Sequence, residues 1–72
     1  MPQLTTAQYD ALEHAITAGT RIVVMRRGTE YVVVPKRLVL AGGREIVEAM
    51  HPTTGHRLTL FVDEMDSVEA VR

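Results

Sequence analysis

The residues best suited to chemistry in this chain lie in AMHPTTGHRL, residues 49–58, where His51 and His56 bracket a Pro-Thr-Thr-Gly. If Pro52–Gly55 is a four-residue hairpin loop, the two imidazoles face each other, with Cβ atoms about 4.5–5.5 Å apart. That is close enough to share a zinc ion. Zinc takes three protein ligands at a catalytic centre and generally four at a structural one. The spacing supplies no third: His14 or Asp63 would have to arrive by folding, and there is no cysteine to offer a thiolate. As a general base, either histidine lacks a nucleophile beside it, since Thr53 and Thr54 are ordinary turn residues. The pair is read as the flanks of a turn. AGGRE lacks the spaced glycines and the following Lys-Ser/Thr of a phosphate loop. Neither metal nor cofactor is expected, and the chain is read as non-enzymatic.

Charge offers the second kind of chemistry. Residues 1–37 carry Arg21, Arg26, Arg27, Lys36 and Arg37 against Asp10, Glu13 and Glu30, while residues 38–72 carry three arginines against six acids. Arg26, Arg27, Lys36 and Arg37, with Tyr31 as the nearby aromatic, form a candidate nucleic-acid surface. Asp63, Glu64 and Asp66 in DEMDSVE form a candidate acidic surface for a basic protein partner. The net charge of −1 gives no global push toward polyanions.

The elements that must position these groups are legible from period and punctuation. LTTAQYDALEHAITAG reads as a helix over about residues 6–18. Thr5 and Gln8 make a capping box, Leu4 and Tyr9 a hydrophobic staple, and Gly19 the left-handed residue after the end. Tyr9, Leu12, Ala15 and Ile16 share its apolar face. Strands are expected over about residues 21–27, 30–40, 45–51, 56–62 and 67–71. Gly28-Thr29 fits a type II′ turn setting Arg27 against Glu30, Met25 against Val32 and Val24 against Val33. Gly42-Gly43 fits a type I′ turn setting Leu38 against Val47, Val39 against Ile46 and Arg37 against Glu48. The histidine loop then sets Val47 against Leu60 and Ile46 against Phe61. Leu38, Val47 and Leu60 form an inner row. Val39, Ile46 and Phe61, with Met50 beside them, form an outer row, a candidate subunit or partner interface.

Helix, then five short strands joined by tight turns, predicts a mainly β domain with an N-terminal helix and a small closed barrel of the SH3-like or Sm-like kind. The same residues resemble the core of a WYL domain, itself an Sm-like barrel, over residues 11–68. The features that carry the likeness are AITAG ending the helix, a strand pair ending in Pro35, then Leu38, the GGR turn, Ala49–Pro52, and LTLFVDEMDSV. Where that family has Trp-Tyr-Leu, this chain has Glu45, Ile46 and Val47. The resemblance implies a ligand-sensing regulatory module. YDALEHA and LTLFVDEMDSVE are also similar to Sm-like Rho-inhibitor proteins, which implies protein contact with a transcription terminator through an acidic surface.

Seventy-two residues make one small domain with a thin core, for which self-association is a common source of added stability. The longest apolar run is far short of a membrane span, and no basic-then-apolar leader opens the chain, so a cytoplasmic protein without membrane contact is expected. The reading is a non-catalytic interaction module, self-associating and linked to transcription or RNA, with a protein or RNA as partner. Its alternatives are an acidic-faced protein inhibitor and a WYL-type ligand sensor.

Overall fold

The computed structural model describes residues 4–71. They form helix α1 (Thr6–Ala18), strands β1 (Ile22–Arg26), β2 (Thr29–Ala41), β3 (Arg44–Met50) and β4 (Arg57–Phe61), a 3₁₀ turn (Val62–Glu64), and strand β5 (Ser67–Ala70). The helix starts where its cap demands. Thr5 Oγ1 accepts the Gln8 N–H at 3.1 Å and Gln8 Oε1 accepts the Thr5 N–H at 2.9 Å, which satisfies two otherwise orphaned donors. It stops at Gly19, whose φ of +70° suits a residue without Cβ. Leu12 and Ala15 are buried and Tyr9 and Ile16 pack on the same core, so the apolar stripe is the buried face; His14 is exposed.

The strands form one antiparallel sheet in the order β4-β3-β2-β1-β5. The 13-residue β2 belongs to both halves, pairing β1 with its first part and β3 with its second. Between Pro35 and Arg37 the register slips by one residue. This bulge makes Lys36 the extra residue and bends the strand. It also resets the alternation: Tyr31, Val33 and Pro35 point inward before it, and Leu38 after it. Proline is tolerated there because a bulge asks less of its missing N–H than a regular ladder does, and its side chain is fully buried. Helix α1 lies against β5 and β2. Leu12, Ile22, Val24, Val33, Val47, Leu60, Met65 and Val68 fill the space between.

The second and third hairpins have the expected registers, including Leu38 with Val47, Val47 with Leu60, and Arg37 with Glu48. The first does not. Arg26 pairs with Thr29, Met25 with Glu30, and Val24 with Tyr31. The two turn residues are therefore Arg27 and Gly28, at φ +50° and +78°, a type I′ rather than a type II′ turn. The type I′ twist matches that of the strands. The slip is by two residues, so every side chain keeps its face. The sheet is also not closed: β4 and β5 are its two edges and do not pair with each other.

Arg27 holds a left-handed conformation that costs a β-carbon-bearing residue roughly 1–2 kcal/mol, less for asparagine. Arg27→Asn should therefore stabilise the protein by about 0.5–1 kcal/mol, read as a higher midpoint in urea with unchanged slope. A lower midpoint would show that the turn is not of this type.

Candidate functional site

The 3₁₀ turn between β4 and β5 carries the acidic run, and the fold surrounds it with arginines. Arg44, at the start of β3, forks onto Asp63: Nε donates to Oδ2 at 2.9 Å and Nη2 to Oδ1 at 2.7 Å. The same guanidinium lies 3.8 Å from the centre of the Phe61 ring, a cation–π stack. Glu64 sits between Arg44, 3.5 Å away, and Arg26 of β1, whose Nη2 is 2.8 Å from Oε1. The Arg26 contact is close in distance but not aligned as a hydrogen bond, since Arg26 Nε and Glu64 Oε1 have no hydrogen-bond partner. Asp66 Oδ2 accepts the Arg27 N–H at 3.0 Å, and the Asp66 N–H donates to the Met25 carbonyl at 2.7 Å. Each of Asp63, Glu64 and Asp66 thus has a partner within the chain, so the acidic surface is less negative than its sequence.

The candidate nucleic-acid residues do not converge. Arg26 and Arg27 stand at the β1–β2 turn, and Tyr31 faces Val24 on the core side. Lys36 and Arg37 lie at the bulge, seven residues beyond Thr29 along β2, roughly 23 Å at strand rise. Arg27 also lacks the expected opposition to Glu30, which pairs with Met25. Arg37 does have its expected partner: Nε and Nη2 donate to the two Glu48 oxygens at 2.8 and 3.1 Å.

On the face away from the core, the β2-β3-β4 half shows ordered rows. Val39, Ile46 and Phe61 form one, half-buried rather than exposed. Arg44 with Asp63 flanks it on one side and Arg37, Glu48 and Thr59 on the other; Val34, Met50 and Arg57 come next. The large apolar side chains most open to solvent lie elsewhere: Leu40 at 73%, Val71 at 40% and Val32 at 37%. Lys36, Arg37, Glu48, Met50, Arg57 and Thr59 line a groove of about 600 Å³, with Ala49 and Leu58.

The histidines stand opposite each other, with the His51 N–H donating to the His56 carbonyl at 2.8 Å. His51 serves the turn directly: its Nδ1 accepts the N–H groups of Thr53 and Thr54 at 3.2 and 3.3 Å. Among the described residues no cluster of three or more His, Asp or Glu side chains is placed to hold a metal. Neither His14 nor Asp63 completes the pair; His14 is exposed on α1 and Asp63 is held by Arg44.

The contribution of Arg44 was legible and missed. The register that sets Ile46 against Phe61 sets Arg44 against Asp63 one step further on. Arg57 was missed because nothing local ties it to the bulge. No family model, curated protein or solved structure matches this chain.

The Arg44 fork holds the Asp63 carboxyl below the usual carboxylate range. Such a group adds stability above its unfolded-state pKa of about 4 and loses it as pH falls through the lower folded-state value. Asp63→Asn should lower the melting temperature at neutral pH and approach the parent as pH falls through that lowered value; a gap that stays constant with pH would exclude the ionic origin. Tyr9 runs the other way. Its hydroxyl donates to Glu45 Oε1 at 2.6 Å, which raises its pKa. The stability it adds is present below about pH 10 and is lost as pH rises through the raised value. Tyr9→Phe should therefore melt lower than the parent at neutral pH and match it in strong alkali.

Proposed function

We propose that this chain is a non-catalytic interaction module, a small SH3-like or Sm-like barrel that associates with copies of itself. The observation that carries this reading is the open sheet. β4 and β5 are both edge strands, each offering a row of main-chain donors and acceptors to another strand. The flanking groups on β4 suit a subunit contact, because Phe61 and its apolar row are half-buried between ion pairs that can serve as a polar rim. The bent β2, and the ion pairs from Glu64 to both Arg26 and Arg44, support the barrel description, since they draw the two halves of the sheet toward each other. A setting in transcription or RNA belongs to the same proposal on the strength of the sequence resemblances. The acidic-inhibitor alternative is less well supported, because the acids it needs are already partnered.

Light scattering at high micromolar concentration should return a mass above that of one 8.0 kDa chain. Phe61→Asp should lower that mass more than Thr59→Asp, because it sets a charge in a desolvated apolar contact. A monomeric parent protein would overturn the proposal.

A further inference from the structure

The groove at the bulge borders that contact, sharing Arg57–Thr59 of β4 and the Arg37–Glu48 pair with it, and its charge is unbalanced. Lys36, Arg37 and Arg57 line it against a single carboxylate, Glu48, leaving a surplus of two positive charges. Only Arg37 is matched, by the Glu48 fork. Lys36 and Arg57 have no ion pair among the described residues. The bulge is what puts Lys36 there, since the extra residue of a bulge leaves the ladder. The Glu48 carboxyl is held below its usual range by Arg37 first and also by Arg57, so both guanidinium charges are felt at this point on the sheet.

We propose that this groove binds a phosphate monoester of about mononucleotide size. The charge selects the head group: a monoester carries about −1.5 to −2 near neutral pH, which matches the surplus, whereas a carboxylate or a diester brings one charge. The donors suit it too. Guanidinium forks pair with phosphate oxygens in a bidentate way, Lys36 adds a mobile ammonium, and Thr59 adds a hydroxyl. Met50 supplies apolar surface for the organic body. The volume of about 600 Å³ falls within the range of about 300–1,000 Å³ typical of small-molecule sites. None of this requires self-association.

The test is titration of the intact protein with adenosine monophosphate, adenosine and an oligoadenylate lacking terminal phosphate, followed by amide shifts and calorimetry. The monophosphate should bind with shifts at Lys36, Arg37, Arg57 and Thr59, and more weakly as salt is added. Adenosine should bind at least about tenfold more weakly, as should the monophosphate to the double variant Lys36→Gln/Arg57→Gln. Glu48→Gln, which frees Arg37, should bind it more tightly. Misfolding cannot produce a loss in one variant and a gain in the other. The proposal is overturned by no monophosphate binding at millimolar concentration, by equal affinity for adenosine, or by shifts elsewhere. Indifference to either variant, or tighter binding of the diester strand, would overturn it as well.

Discussion

The bend in β2 is the constraint on which this structure depends. A 13-residue strand left straight would span roughly 40 Å, longer than any axis of the molecule, whose extents are 30 × 25 × 24 Å. The extra residue between Pro35 and Arg37 bends it and lets one strand serve two half-sheets. The reset of alternation matters as much. Without it Leu38 would point outward, and the row Leu38, Val47, Leu60 would lie on the opposite face from Val33 and Pro35. One inserted residue keeps a single core across both halves.

A bent sheet brings its two ends near each other without joining them. The chain crosses that side through the 3₁₀ turn, and Glu64 reaches an arginine on each half, Arg26 of β1 and Arg44 of β3. Such pairs are partly solvated, so each contributes modestly. Their effect is on geometry more than on total stability: they hold Val62 and Met65 over the core, where both are buried. Charge inside the turn is balanced as a result, and the acidic run becomes a structural clasp before it is a surface for anything else.

Surface character follows from the same bend. Where the strand bulges, Lys36 leaves the ladder and stands near Arg37 and Arg57, which gives that groove a surplus of positive charge. Where the sheet stays open, β4 and β5 present unpaired main chain. The two surfaces adjoin along β4, one selected by charge and one by hydrogen-bonding geometry, and neither involves the histidine turn. His51 is occupied in capping that turn through Nδ1.

The sequence by itself determined whatever is set by neighbours along the chain. Thr5, Gln8 and Gly19 bound the helix because capping involves residues three or four apart. Gly42-Gly43 and the four-residue histidine loop set their hairpin registers, and with them the Arg37–Glu48 pair. The first hairpin was less legible because Arg-Gly and Gly-Thr are both two-residue loops of permitted kinds, and local chemistry favoured the one without a strained arginine. The shift by two kept the faces, so the core was legible even where the turn was not. Only the tertiary structure decided the open edges, the pairing of β1 with β5, the meeting of Arg26 with Glu64, and the grouping of Arg57 with Lys36. Each joins residues about 20 or more positions apart, and such contacts depend on where the sheet bends. That bend is one unpaired residue in an otherwise regular strand pattern, too small a signal to read before the partners on either side of it are known.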